Sequence, residues 1–183
     1  MINNFNLCPM CGEKNIQNID NIKWFCPDCE FELFRNVASA VGIIIYDEDK
    51  NVLFEVRNKD PRKGFLAIPG GFANADETSE EAAKRECLEE IGVNIGDIEY
   101  LCSFPNTYPY KNVEYKTCDC FFTAKIDQKY RNINEYISKL HRQESEVCSF
   151  VAYSVKDEES IKEIPIAFVS TANALKKFIN KNQ

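Results

Sequence analysis

The chain has 183 residues, a formal net charge of -7 and 44% hydrophobic residues, which is enough for one full-sized domain with a small appendage. This composition excludes a disordered chain, and the sequence contains no apolar run long enough to span a membrane. The acidic balance argues against non-specific nucleic-acid binding. The start, MINNFNLCPMC, lacks the basic and apolar regions of a signal peptide, so we expect a cytoplasmic protein.

Two CxxC pairs lie close to the start of the chain, and they contain Cys8, Cys11, Cys26 and Cys29. Four thiolates in two knuckles are the ligand set of a structural Zn²⁺, and they leave no position open for a catalytic water. The sequence therefore predicts a zinc ribbon over residues 1–35. Two roles stay open for it: a nucleic-acid-binding ribbon, or a folding staple, which is favoured because so short a segment rarely folds without one. The odd number of further cysteines indicates a reducing compartment.

Alternating and apolar runs predict strands and helices over residues 36–183, after a short connection at 31–36. The predicted strands are 37–46, 51–57, 65–68, 97–104, 115–126 and 148–153. The predicted helices, besides the one described next, are 132–142 and 172–179. This order predicts an α/β fold, with an α/β/α sandwich around a mixed sheet.

The most informative helix is predicted between Thr78 and Gly92. Thr78 and Glu81 form a capping box, and Gly92 is placed to end the helix in a left-handed conformation. Three glutamates, Glu86, Glu89 and Glu90, have the i, i+3, i+4 spacing that puts them on one face. Three like charges there favour a divalent cation, and hard oxygen ligands suit Mg²⁺ or Mn²⁺.

The stretch G-x5-E-x7-R-E-U-x-E-E-x-G-U resembles the signature of the Nudix hydrolase superfamily. Its fixed positions are Gly71, Glu77, Arg85, Glu86, Glu89, Glu90 and Gly92. With the preceding ribbon, the chain is similar to the zinc-ribbon NADH pyrophosphatases, which cleave NAD(H) and remove NAD caps from RNA. The family segment S-Q-P-W-P-F-P is matched only in part by residues 103–109, which lack the Gln, the Trp and the middle Pro.

The resemblance implies roles for individual residues. Glu86, Glu89, Glu90, the Gly70 carbonyl and Glu144 would bind Mg²⁺ or Mn²⁺, with Glu146 as a competitor of Glu144. Glu86 or Glu144 would accept the proton of the attacking water, and Arg85 would orient a metal-binding glutamate. The predicted substrate-binding residues are Phe104, Tyr108, Tyr110 and Ala172. The three aromatic residues are candidates to stack on a base, against the alternative of ordinary packing, and the Ala172 backbone would approach the adenine.

These features predict metal-dependent hydrolysis of the pyrophosphate in a nucleoside diphosphate linked to another moiety. The expected substrate is NAD(H) or ADP-ribose, giving AMP and a phosphorylated fragment. The alternative is a catalytically silent nucleotide sensor whose ribbon contacts a protein or nucleic acid. The expected partner is a nucleotide, with an NAD-capped RNA end as the one nucleic acid considered, and the resemblance also implies a homodimer.

Overall fold

The computed structural model describes residues 5–181. The outer ends of the two predicted domains, at residues 1–4 and 182–183, lie outside the described residues. The chain forms two compact units. The first contains the described residues up to Val37 together with Thr107–Lys116, and the second contains Ala38–Asn106 and the described residues from Thr117 onward.

The first unit contains a small antiparallel sheet of three strands in the order β1-β2-β3. These strands are Gln17–Ile19 (β1), Lys23–Phe25 (β2) and Glu32–Phe34 (β3). Within the short connection predicted at 31–36, residues 32–34 form a strand that pairs with β2. Trp24 at the centre of β2 is buried, and its ring meets that of Phe5 edge to face with centroids 5.2 Å apart.

The second unit is built on a mixed six-stranded sheet in the order β6-β5-β4-β8-β7, with β9 paired to β5. Its strands are Ala38–Tyr46 (β4), Asn51–Arg57 (β5), Leu66–Ala67 (β6), Glu99–Tyr110 (β7), Val113–Lys125 (β8) and Val147–Ser154 (β9). The tips of β7 and β8 belong to the first unit. The pairing of β4 with β8 is parallel, whereas β5 pairs antiparallel with its neighbours.

Helices cover both faces of this sheet, which confirms the predicted sandwich. The helices are Ser79–Ile91 (α1), Ile133–Ile137 (α2), Glu158–Lys162 (α3) and Val169–Lys181 (α4). One buried cluster joins α1 and α2 to side chains such as Leu53 and Phe122. The other joins α3 and α4 to side chains such as Phe54 and Phe121. Among residues 5–181, no helix is long and apolar enough to cross a membrane.

Three elements, β7, α2 and α3, differ clearly from the sequence prediction. Strand β7 continues past the prolines of residues 103–109, because β7 is an edge strand, where a missing N–H is tolerated. Helix α2 stops early, because the amides of His141 and Gln143 donate to the Ile91 and Glu90 carbonyls at the end of α1, both at 3.1 Å. Helix α3 was not predicted, since five residues are too few to show a helical period.

Candidate active site and thiol cluster

Helix α1 begins and ends where its capping residues place it. The Thr78 side chain accepts from the Glu81 amide at 3.1 Å, and the Glu81 carboxylate accepts from the Thr78 amide at 2.8 Å. Gly92 ends the helix with φ 72°. Ala83, Cys87 and Ile91 on the inner face have no solvent exposure. The helix is therefore fixed at both ends and along one side.

A glycine turn lies against this helix. The Ile43 and Val41 amides donate to the Pro69 and Gly71 carbonyls at 2.9 and 2.8 Å, which anchors the turn to β4. Gly70 has φ 149°, and a Cβ on it would lie 2.1 Å from the Val41 carbonyl oxygen. A Cβ on Gly71 would lie 2.5 Å from the Glu86 Oε1. Gly70 therefore has to be a glycine for the turn to lie this close to β4, whereas a side chain at Gly71 would displace the end of the Glu86 side chain.

The three signature glutamates have different surroundings. The Glu90 side chain is buried, and its Oε2 accepts from the Gly70 amide at 2.7 Å. Burial first, and then the charge of Glu86, raise the pKa of Glu90 to about 8 despite that hydrogen bond. Burial also raises the pKa of Glu86, whose side chain is 12% exposed, whereas the side chain of Glu89 is 50% exposed.

The Arg85 guanidinium donates hydrogen bonds to three carboxylates, one before it in the chain and two after it. It donates to Glu77 at 2.7 and 3.0 Å, to Glu86 at 2.8 Å, to Glu89 at 3.2 Å and to the Phe72 carbonyl at 3.0 Å. The donors of Arg85 and the Asn74 amide hold the pKa of Glu77 at about 2. Arg85 thus fixes the orientation of two signature glutamates while it is itself held by Glu77.

Glu144 and Glu146 lie in different surroundings. The Glu144 side chain is 83% exposed and reaches Arg142 at 3.5 Å. Glu146 is half-buried, forms an ion pair with Lys59, and is one of the charges that raise the pKa values of Glu86 and Glu90. Glu146, rather than Glu144, is therefore the carboxylate of this segment whose charge acts on Glu86 and Glu90.

Two charged residues of β5, the buried Glu55 and the half-buried Arg57, were missed by sequence reasoning. Glu55 is 4% exposed, and its Oε1 has no hydrogen-bond partner. Arg57 has a buried Nη2 without a partner, although its Nε donates to the Pro61 carbonyl at 3.0 Å and its guanidinium lies 5.1 Å from the Phe168 ring centroid. The signal was present in the sequence, because a glutamate interrupts the otherwise apolar run VLFEV of a predicted strand.

The predicted substrate-binding residues are divided between the two units. Phe104 and Ala172 belong to the second unit, where both are partly buried against the cluster that contains Phe178. Tyr108 and Tyr110 belong to the first unit, and Tyr110 is 43% exposed. Phe104 and Ala172 are thus in the same unit as the signature glutamates.

The carboxylates of the second unit fit a divalent cation. Hard oxygen donors crowd around a backbone turn that any Cβ would obstruct, and burial raises the pKa values of Glu55, Glu86 and Glu90. A buried carboxyl oxygen without a partner, as in Glu55, is the observation that a bound cation would explain.

The four predicted zinc ligands of the first unit come together. Their sulfur atoms all lie within 4.8 Å of one another, and the Cys8–Cys29 and Cys11–Cys26 pairs are each 3.7 Å apart. Sulfur atoms at the corners of a tetrahedron with Zn–S bonds of about 2.3 Å are about 3.8 Å apart. The cluster is therefore compatible with a zinc ribbon.

Comparisons with known proteins agree with this architecture. The NUDIX domain family model matches residues 37–165. The chain is 26% identical over 109 residues to the NAD-capped RNA hydrolase NudC of Vibrio atlanticus (strain LGP32), covering 60% of this chain and 40% of that one. It is 30% identical over 122 residues to the NAD-capped RNA hydrolase of Schizosaccharomyces pombe (strain 972 / ATCC 24843), covering 59% and 32%. The match thus spans less than half the length of either relative.

A solved structure shares the fold at low identity. The NUDIX domain of Shewanella oneidensis NrtR complexed with ADP ribose superposes with a TM-score of 0.62 at 19% identity, covering 87% of this chain and 94% of that one. This likeness supports the fold alone. Because the family model covers most of the sandwich and the signature helix, the chain belongs to the NUDIX domain family.

Proposed function

We propose that the chain hydrolyses the pyrophosphate bond of a nucleoside diphosphate joined to a second moiety, with NAD(H) or ADP-ribose as the substrate, giving AMP and a phosphorylated fragment. The observation that carries this proposal is the convergence of Glu86 and Glu90 on the Gly70–Gly71 turn, with Arg85 holding Glu86 and Glu89. The names of the Vibrio and Schizosaccharomyces relatives support a substrate that contains the NAD diphosphate.

The proposed ligands of Mg²⁺ or Mn²⁺ are Glu86, Glu89, Glu90 and the Gly70 carbonyl. Glu146, rather than Glu144, completes the set, because it interacts electrostatically with Glu86 and Glu90. When bound, the cation supplies Lewis-acid activation of water and neutralises the charge of the diphosphate.

The remaining roles belong to this chain's own side chains. Arg85 keeps Glu86 and Glu89 oriented, so that Glu86 can accept the proton of the attacking water. The partnerless Nη2 of Arg57 is available to donate to a phosphate oxygen. Phe104 is proposed to stack on a base of the substrate, and the Ala172 backbone to approach the adenine. Base stacking by Tyr108 and Tyr110 of the first unit stays a prediction from sequence.

The thiol cluster is proposed to hold one structural Zn²⁺ within a ribbon of residues 1–35, which a hydrolase domain of residues 36–183 follows in the sequence. We also propose a reducing compartment such as the cytoplasm, because four of the nine cysteines form the two CxxC pairs and the five others are an odd number. A homodimer remains part of the proposal.

The test is turnover of a defined substrate panel. Purified protein with Mg²⁺ or Mn²⁺ is incubated with NADH, NAD⁺, ADP-ribose, diadenosine polyphosphates, nucleoside triphosphates and NAD-capped RNA, and the products are separated by chromatography. We expect AMP with nicotinamide mononucleotide or ribose phosphate. Hydrolysis in ¹⁸O-labelled water then shows which phosphorus atom is attacked.

Matched variants on one helix test the site itself. Glu89→Gln and Glu90→Gln should lower turnover by more than about 100-fold, since even outer partners of metal ligands contribute 10- to 100-fold. Glu80→Gln, on the exposed side of the first turn of α1, should retain full activity. Tight binding of ADP-ribose without turnover of any substrate would contradict the proposal and favour the nucleotide sensor.

A further inference from the structure

Glu55 is placed on the sheet face that α1 covers. Along β5 its side chain shares a face with Leu53, which packs in the same cluster as Ala83, Cys87 and Ile91 of α1. Its cross-strand partner Phe150 packs against that cluster too. Glu55 therefore lies beneath the inner side of the signature helix.

The neighbours of Glu55 are the carboxylates of the candidate active site. Burial is the main cause of the raised pKa of Glu55. Among charged groups, Glu90 raises this pKa most, Arg57 lowers it, and Glu146 and Glu86 raise it further. From the helix side, Glu55 is likewise the first charge that raises the pKa of the Cys87 thiol, ahead of Glu90 and Glu86. The charges that act on Glu55 and on Cys87 thus include the same two glutamates, Glu86 and Glu90, in agreement with the position of Glu55 beneath α1.

The environment of Glu55 leaves one of its oxygens without a stabilising contact. The side chain is 4% exposed and Oε1 has no hydrogen-bond partner, and no ion pair joins Glu55 to Arg57 among residues 5–181. Glu90, in contrast, accepts from the Gly70 amide. A buried carboxyl oxygen without a partner destabilises the fold, so its presence calls for a ligand that the oxygen would meet.

We propose that Glu55 is an additional ligand of the divalent cation held by Glu86, Glu89 and Glu90, reaching that site from β5 on the side opposite the solvent. The inference rests on the proposed function, because it extends that cation site inward. Mg²⁺ and Mn²⁺ bind to oxygen ligands in proteins, and carboxylates suit both ions. Without the cation, Glu55 destabilises the protein; with it, Glu55 tightens the site.

The test measures Mn²⁺ binding and thermal unfolding rather than turnover. Mn²⁺ affinity is determined by calorimetry and by electron paramagnetic resonance for the wild type, Glu55→Gln, Glu90→Gln and the double variant. Glu163→Gln serves as a control, because this glutamate is exposed on the turn after α3. We expect Glu55→Gln to weaken Mn²⁺ binding about tenfold or more and Glu163→Gln to leave it unchanged.

The unfolding temperature without metal distinguishes a ligand from a structural residue. Glu55→Gln should raise the metal-free Tm by about 2–4 °C, since it removes a buried charge conflict, and should reduce the stabilisation that Mn²⁺ gives. The effects of Glu55→Gln and Glu90→Gln on affinity should be non-additive.

Three results would overturn the inference. Wild-type Mn²⁺ affinity in Glu55→Gln would refute the role of Glu55 and leave the proposed function intact. A Glu55→Gln protein that is less stable or unfolded without metal would show that the carboxyl supports the fold. Absence of Mn²⁺ binding in the wild type itself would refute the proposed function together with this extension of it.

Discussion

The two candidate cation sites of this chain differ in how much buried side-chain core the unit around them has. In the described part of the first unit, the only buried side chains are Cys8, Trp24 and Cys26, so two of the three belong to the proposed zinc ligands. Helix α1 of the second unit instead buries Ala82, Ala83, Cys87 and Ile91 without any exposure. The comparison teaches that a cation can be either the core of a small fold or an addition to a core that already exists.

The largest expected effect comes from a substitution in the thiol cluster of the first unit. Cys26→Ser removes a ligand from a unit that has almost no other interior, and structural zinc contributes about 10 kcal/mol or more to folding. Residues 17–34 should lose their amide protection in hydrogen-exchange mass spectrometry, whereas residues 79–91 keep theirs. The control is Cys148→Ser, an exposed cysteine outside the thiol cluster. Retained protection at 17–34 in Cys26→Ser would show that the ribbon folds without its metal.

The next effect tests whether the second unit depends on its backbone turn. Gly70→Ala places a Cβ against the Val41 carbonyl at a positive φ, which should lower the free energy of unfolding by about 3 kcal/mol or more. The measurement is urea unfolding with and without Mg²⁺. Gly96→Ala is the matched control, because a Cβ there meets nothing within 4 Å. Equal stability of the two variants would contradict the turn's close approach to β4.

A smaller effect concerns a buried aspartate that stabilises the second unit without a cation. Asp47 accepts from the amides of Asp49, Asn51 and Ile133 at 2.9 to 3.0 Å, which joins the β4–β5 turn to the start of α2. Burial would raise the pKa of Asp47, but these bonds and the Asn51 side chain outweigh it and lower the pKa. Asp47→Ala should cost about 2–3 kcal/mol at neutral pH.

The pH dependence of that loss has a definite sign. Because the folded pKa is lowered, the contribution of Asp47 is complete above its unfolded pKa of about 4 and disappears as the pH falls through the folded value. The Tm difference between wild type and Asp47→Ala should thus shrink below about pH 4. Exposed Asp97 provides the control, since Asp97→Ala should leave Tm unchanged at every pH.

The smallest expected effect tests how much the candidate active site depends on the capping of α1. Thr78→Ala removes the cap of α1 and should cost about 1 kcal/mol, or about 2–4 °C in Tm. Thr78→Ser keeps the hydroxyl and should restore most of the loss. A larger loss of Mn²⁺ affinity than of stability would indicate that the cap also orients Glu86 and Glu89.

The parts of the molecule that could be predicted from sequence are those fixed by short-range chemistry. Thr78, Glu81 and Gly92 determine the ends of α1 by local capping, and the CxxC spacing brings the four thiols together. The sandwich followed from the order of the predicted elements, and it was confirmed. The roles assigned to the substrate-binding residues stay predictions.

What sequence could not supply depends on contacts between distant elements. The early end of α2 is set by bonds to the last carbonyls of α1, and the difference between Glu144 and Glu146 is set by Lys59. Glu55 and Glu90 are brought together only by the packing of β5 under α1. None of these relations has a fixed spacing along the chain, so no pattern predicts them.

The parallel pairing of β4 with β8 has a consequence for the order of events during synthesis. Ala38 pairs with Thr117, so the central pair of the sheet forms only after β5, α1 and β7 have also been synthesised. The ribbon strands pair with close neighbours in the chain, and such local contacts form early. The inner face of α1 can therefore pack first on β4 and β5, which precede it in the chain, and it gains its contact with Phe122 only when β8 has been synthesised.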